Sequence, residues 1–383
     1  MIGRKLDKLF IKLFMRKINR KFVIQSFIFV LCIALFFHKA ITKQFKKIVC
    51  KPCHSVLVQD FLIEEGVKDP KQRSIELLKA SIRKINSIEK LISTQNSIPQ
   101  IIHYIYFTTS ENPRTIPEQD VVSIINNINN LQNQIPGWKS FFWTNNQSIV
   151  PDKIKKLRGM VVKNISEFSE HNLYNELTSF IKIGQHDKHY YSSASDILRL
   201  IALQKYGGIY MDLDYTIFDS ARLVKFLKTN DFIGGAFIER ENFYIANNSF
   251  VATKPKHKII NTTLSLIKRN LSSPQKPSYV LYPCNKIYSN LSTTGMISFT
   301  AAVYLVANTK TDIYFPTRIL YTPPFNTNIV SNAVEQIFEG LQYIEKPIGN
   351  DRFGVTWMNP EDFEDAPCLK DMQTELRKKF PNL

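Results

Sequence analysis

The chain has 383 residues, 44% of them hydrophobic, enough for one large domain or two medium ones, while its five cysteines are too few for a disulfide-built scaffold. The formal charge of +17 is unevenly placed: residues 1–51 hold thirteen Lys/Arg against the single acid Asp7, so the rest of the chain is nearly balanced. A nucleic-acid binder carries its basic footprint on the folded domain and not only in a tail, so no nucleic-acid partner is expected.

Residues 1–21 form a basic tail. It leads into "FVIQSFIFVLCIALFF", Phe22–Phe37, which carries no charge. Sixteen helical residues rise about 24 Å, short of the ~30 Å hydrocarbon core, so a span here needs its flanks to snorkel. His38 and Lys39 follow in place of a small-residue cleavage site, which favours an uncleaved anchor over residues 22–41 against a signal peptide. Eight Lys/Arg precede the run and five follow it, a bias for a cytoplasmic N-terminus and a luminal or extracytoplasmic body. The competing reading lays these segments on a membrane surface as amphipathic helices.

"CKPCH", Cys50–His54, has the form of a c-type haem attachment site, but no small helical domain surrounds it, so a local disulfide or free thiols is the preferred reading. Cys284 and Cys368 would pair only in an oxidising compartment. Glycosylation sequons begin at Asn146, Asn164, Asn247, Asn261, Asn270 and Asn290.

Residues 42–97 read as a helical stem, with Ile75, Leu78, Ile82, Ile85 and Ile92 at helical spacing. Glu89 breaks a coiled-coil seam, so packing against the main domain is the expected use. From Pro99 the texture changes. "IIHYIYF" (101–107) reads as a buried strand, residues 121–131 as a helix and "KSFFWT" (139–144) as a second strand, followed by a helix-rich stretch to Tyr191. This alternation predicts an α/β body over residues 98–383 with a mostly parallel central sheet.

"SASDILRLIALQKYGGIYMDLDY", Ser193–Tyr215, carries the chemistry. Ser193 and Asp196 have the spacing of a capping box at a helix start, and Arg199 can pair with Asp196. Gly207 fits a left-handed helix end, and Gly208 turns the chain into a strand. Period two then puts Ile209, Met211 and Leu213 on one face and Tyr210, Asp212 and Asp214 on the other, the two carboxylates about 7 Å apart. Carboxylates in a central strand are costly without a cation or donors, and hard oxygen ligands at a strand end suit Mn²⁺ or Mg²⁺ bridging a diphosphate.

The block Ala194–Tyr215 resembles the core of the DXD-containing sugar-binding glycosyltransferases. That group includes yeast-type initiating mannosyltransferases, α-1,4-galactosyltransferases and the glucosylating domains of large clostridial toxins. "IPQIIHYIYF" is similar to that family's first strand, "KSFFWTN" to its second and "GVTWMNP" to its closing segment, so the resemblance spans about residues 98–360.

The resemblance implies a GT-A-like nucleotide-sugar-binding fold and retaining transfer from a nucleotide-diphosphate sugar to a hydroxyl. A UDP-sugar is the favoured donor, with GDP-mannose second, and the acceptor would lie on a glycan, lipid or protein. It also implies that Asp214 is the principal metal ligand with Asp212 beside it, for Mn²⁺ or Mg²⁺. Asp196 and Arg199 would hold sugar and phosphates, Tyr106 would stack on the base, and Asn247 or Asn248 would lie near the donor. Thr356 and Trp357 would close over the diphosphate. The closing segment lacks the family's His-containing pattern, and a glycine-containing substrate turn is visible only as "TTGMIS" around Gly295. Two alternatives stay open: a membrane protein that binds nucleotide sugar or glycan without turnover, and an effector-type glucosyltransferase acting on host proteins.

Overall fold

The computed structural model describes residues 55–87, 98–239, 243–273, 286–316 and 348–351. The basic tail, the apolar run Phe22–Phe37, the CKPCH segment, Cys284, Cys368, Thr356 and Trp357 lie outside them. Among the described residues no helix is long and apolar enough to cross a membrane.

In chain order the elements begin with α1 (Ser55–Glu64), α2 (Pro70–Ser87), β1 (Ile101–Tyr106), α3 (Glu118–Gln134), β2 (Lys139–Thr144), β3 (Met160–Asn164), α4 (Tyr174–Gly184) and α5 (His189–Tyr206). They continue with β4 (Gly208–Met211), β5 (Tyr215–Ile217), α6 (Ser220–Thr229), β6 (Phe232–Glu239), β7 (Phe243–Thr253) and α7 (Lys258–Ser272). The last are α8 (Lys286–Thr293), α9 (Met296–Val306), β8 (Asp312–Pro316) and β9 (Gly349–Asp351).

Seven strands form one sheet in the order β3-β2-β1-β4-β7-β6-β8, and β5 pairs separately with β9. The sheet is mixed but mostly parallel: β7 runs antiparallel to both β4 and β6, while the other neighbours are parallel. Alternate side chains feed two cores. Tyr210, Ile105 and Trp143 meet Ile197, Leu200 and Ile201 of α5 on one face, while Ile209, Met211 and Tyr104 meet Val121, Ile124 and Ile128 of α3 on the other. The near-continuous burial of "IIHYIY" follows from this two-sided cover.

The described residues all belong to one compact unit. Phe61 and Leu62 of α1 and Leu77 and Leu78 of α2 are buried in the same core as α5. Arg73 donates to Tyr304 O at 3.1 Å and Ala307 O at 2.7 Å, satisfying carbonyls at the end of α9. Lys84 donates to Asp312 O at 2.9 Å, and burial lowers its pKa to about 8.

The helix-rich stretch before Tyr191 also contains β3, an edge strand whose half-exposed, lysine-bearing residues lack the buried-strand pattern. Two local expectations need correction. Helix α5 starts at His189, so Ser193 and Asp196 lie within it, because "HYYS" carries helical backbone back beyond the apparent cap. Gly207 does have positive φ (62°), but with ψ −155° it adopts a glycine-specific extended conformation and not the left-handed helical one.

The double glycine threads β4 between its neighbours. A Cβ on Gly207 would meet Thr253 O at 2.7 Å, and one on Gly208, where φ is 93°, would run into the carbonyl and Cβ of Ile101. Behind this turn, buried His103 lies 2.8 Å from Gly207 O through Nε2 and receives Trp143 Nε1–H on Nδ1 at 3.2 Å. An Nδ1 that accepts fixes the proton on Nε2, and burial pushes the imidazole pKa down to about 4, so the ring stays neutral.

Candidate active site

The site is built where α5, the end of β4, strand β7 and the turn between α8 and α9 converge. Arg199 is at its centre and is 6% exposed. Its Nη1 donates to Asn248 O at 2.8 Å, its Nε to Ser195 O at 3.2 Å and its Nη2 to Ser195 Oγ at 3.2 Å. The guanidinium pairs with Asp196 Oδ1 at 3.2 Å and Asp212 Oδ1 at 3.5 Å, and lies 4.4 Å above the ring centre of Tyr210. Burial opposes the charge, but Tyr210, Asp212, Asp196 and Asp351 outweigh it and hold the pKa above the ordinary arginine range. Arg199 is therefore a fixed cation in a partly dry site.

Asp196, 8% exposed, accepts Asn248 Nδ2–H on Oδ1 at 2.9 Å and is 3.2 Å from Thr294 Oγ1 through Oδ2. Burial raises its pKa to about 6, against the opposing pull of Arg199.

Asp212 and Asp214 do not share a strand face. β4 ends at Met211, and both acids lie on the turn before β5, closed by Tyr215 N–H to Asp212 O at 3.0 Å. Asp212 N–H still donates to Ser249 O at 2.8 Å, in register with the β4–β7 pairing, and burial goes on alternating through Met211, Leu213, Tyr215 and Ile217. Tyr210 Oη–H donates to Asp212 Oδ1. Asn127 of α3 anchors the turn from behind, donating to Tyr215 O at 2.8 Å and accepting Ile217 N–H at 2.8 Å.

Asn248 supplies both an amide to Asp196 and a carbonyl to Arg199. Asn247 is buried; its Oδ1 accepts Ser249 N–H at 2.9 Å, and its Nδ2 has no hydrogen-bond partner among the described residues. Tyr106 ends β1, beside β4 in the parallel part of the sheet, and its hydroxyl donates to Thr115 O at 3.3 Å and not to the cluster. That carboxyl edge of parallel strands is where α/β sheets bind ligands. Asp196, Arg199, Asp212 and Asn248 are thus brought together, with Asp214 on the same turn.

Ser195, Tyr210, Thr294 and Asp351 also belong to the cluster's surroundings; sequence alone assigns none of them a role, although it places Tyr210 on the face of Asp212 and Thr294 stands in "TTGMIS". Ser195 is one helical turn before Arg199 and Tyr210 two residues before Asp212, spacings that could have flagged them. Asp351 has no local signal: it is buried through the pairing of β9 with β5, opposite Tyr215. Among the described residues no group of three or more His, Cys, Asp or Glu is arranged to hold a metal. Two carboxylates on a partly exposed turn still fit a cation that takes its remaining oxygens from a bound phosphate.

Residues 122–232 match the family described as glycosyltransferase sugar-binding region containing DXD motif. Over this segment the chain matches a glycosyltransferase family. The region includes Asp196, Arg199, Asp212 and Asp214, while Tyr106, Asn247, Asn248 and Thr294 fall outside it. Among solved structures the chain is similar to PaToxG glycosyltransferase, with 16% identity over 79% of this chain and 94% of that one at a TM-score of 0.40. It is also similar to the UDP-bound glycosyltransferase domain from the YGT toxin, with 10% identity, 58% and 80% coverage and a TM-score of 0.36. The galactosyltransferase LgtC in complex with donor and acceptor sugar analogs shows 14% identity, 70% and 95% coverage and a TM-score of 0.33. No curated protein matches the chain.

Proposed function

We propose that the protein is a metal-dependent, retaining glycosyltransferase that moves a sugar from a nucleotide-diphosphate sugar to a hydroxyl on a glycan, lipid or protein. A UDP-sugar is the favoured donor and GDP-mannose the second choice. The observation that carries this reading is the Arg199 guanidinium, buried between Asp196 and Asp212 and held by the Asn248 carbonyl.

In this reading Arg199 faces the diphosphate, where paired hydrogen bonds to phosphate oxygens stabilise charge that grows as the leaving group departs. Asp196 accepts hydrogen bonds from hydroxyls of the transferred sugar. Asp212 and Asp214 would hold Mn²⁺ or Mg²⁺, whose contribution is Lewis-acid neutralisation of the phosphates. The bond from the anomeric carbon to the phosphate oxygen breaks, a bond to the acceptor oxygen forms on the same face, and the acceptor proton passes to the departing phosphate. Asn247 lies near the donor, Tyr106 stacks on the base, and Thr356 and Trp357 close over the diphosphate. Residues 22–41 anchor the chain in a membrane, with the N-terminus cytoplasmic and the body luminal. Among the sequons, Asn247 and Asn270 are buried, which leaves Asn146, Asn164, Asn261 and Asn290 as the candidates for modification.

The test is nucleoside diphosphate release by the full-length protein from UDP-glucose, UDP-galactose, UDP-N-acetylglucosamine and GDP-mannose, with Mn²⁺ or with chelator, beside Asp214→Asn. Release from one donor that needs both metal and Asp214 supports the reading. Tight donor binding without turnover, with or without hydroxyl acceptors, would replace it with a non-catalytic binding protein.

A further inference from the structure

The turn that joins α8 to α9 reaches into the cluster. Thr294, 1% exposed, puts its hydroxyl oxygen 3.2 Å from Asp196 Oδ2 and 3.3 Å from Asn290 O. One hydroxyl proton cannot serve both acceptors, and an ionised carboxylate makes the stronger bond. The turn is itself firmly docked. Thr294 N–H and Gly295 N–H both donate to Asn290 O at 3.0 Å, and Asn290 Nδ2 donates to His189 O at 3.1 Å at the start of α5.

The two oxygens of Asp196 are therefore tethered from different elements. Oδ1 is held by Asn248 of β7 and Arg199 of α5, and Oδ2 by Thr294. A carboxylate offers about four acceptor positions, so these three partners among the described residues leave one open on Oδ2. Gly295 stands beside that position: a Cβ there would lie 3.2 Å from Asp196 Oδ2 and 3.0 Å from Leu291 Cα.

We propose that Thr294 and Gly295 are positioning residues for the transferred sugar. The Thr294 hydroxyl fixes Asp196 Oδ2, and the missing side chain of Gly295 keeps its last acceptor position open to a sugar hydroxyl. This inference rests on the reading of Asp196 as the sugar-side group. It adds that these two residues act on the sugar and not on the nucleotide.

The experiment compares full-length wild type, Thr294→Val, Thr294→Ser and Gly295→Ala. Each is measured for hydrolysis and binding of the donor that wild type turns over in the panel above, and for binding of the corresponding free nucleoside diphosphate. Thr294→Val and Gly295→Ala are expected to lower kcat/KM and nucleotide-sugar affinity about tenfold or more, Thr294→Ser to stay near wild type, and affinity for the free nucleoside diphosphate to be unchanged in all. Wild-type donor hydrolysis by Thr294→Val, or a matching loss of nucleoside diphosphate affinity, would overturn the proposal while leaving the transferase reading intact. If Thr294→Val does not fold, Thr294→Ala against Thr294→Ser gives the same comparison. A wild type that neither binds nor hydrolyses any nucleotide sugar sinks the transferase reading, and this inference with it.

Discussion

Asn248 holds Arg199 and Asp196 at once: its carbonyl accepts from Arg199 Nη1 at 2.8 Å and its amide donates to Asp196 Oδ1 at 2.9 Å. One residue of β7 thus sets both the cation and the carboxylate of α5. Arg199→Lys keeps a positive charge but loses the fork that meets Ser195, Asn248 and two carboxylates. The variant is expected to fold and to lose about a hundredfold or more in kcat, the scale of removing one preorganised transition-state donor. Steady-state kinetics with a thermal melt checks this; unchanged kcat would remove Arg199 from the diphosphate.

Asp196 makes stability pH-dependent. Burial raises its pKa to about 6 from an ordinary value near 4, so between these values the folded state holds a proton that the unfolded chain has lost. The contribution of this group to stability is therefore greatest below about pH 4, falls as pH rises to about 6, and is level above that. The difference is of order 3 kcal/mol, from ~1.4 kcal/mol per pH unit. Melts from pH 4 to 7 should show wild type losing stability relative to Asp196→Asn over this interval, and parallel profiles would show that the carboxyl is not perturbed. Transfer should carry an acid limb near pH 6, where Asp196 gains its proton opposite Arg199.

Gly208→Ala tests how β4 is threaded. With φ at 93° and Ile101 in the way of any Cβ, the substitution forces β1 and β4 apart. A loss of roughly 3 kcal/mol or more, with activity falling in parallel, is expected in denaturant titrations.

Residues 55–87 belong to the body's core, and this gives a truncation test. Removing residues 1–97 uncovers the surfaces packed by Phe61, Leu62, Leu77 and Leu78 and the bonds of Arg73 and Lys84. Four large apolar side chains at ~1.5–3 kcal/mol each are comparable with the whole stability of a domain, about 5–15 kcal/mol. The protein from residue 98 is expected to aggregate or melt far lower than the protein from residue 53. Equal melting temperatures would show that α1 and α2 are dispensable.

What was legible in the sequence was local. β1 and β2 could be read because they are short, nearly continuous buried runs, α3 because its apolar residues keep the helical period, and the Asp196–Arg199 pair because it is three residues apart on one helix. β3 was hidden because an edge strand need bury little, and its lysine is satisfied by Glu167 and by the faces of Phe141 and Trp143. The turn holding Asp212 and Asp214 looked like strand because burial alternates straight through it. The turn "TTGMIS" could be seen, but not the contact of Thr294 with Asp196, which is made through helix packing; Asp351 was invisible because it reaches the cluster through the β5–β9 pairing.

The measurement closest to the central claim is a crystal structure of the protein soaked with the preferred nucleotide sugar and Mn²⁺. The account requires the diphosphate within hydrogen-bonding distance of the Arg199 guanidinium, with the cation between it and the turn carrying Asp212 and Asp214. A nucleotide sugar bound elsewhere, with Arg199 still closed onto Asp196 and Asp212, would contradict it.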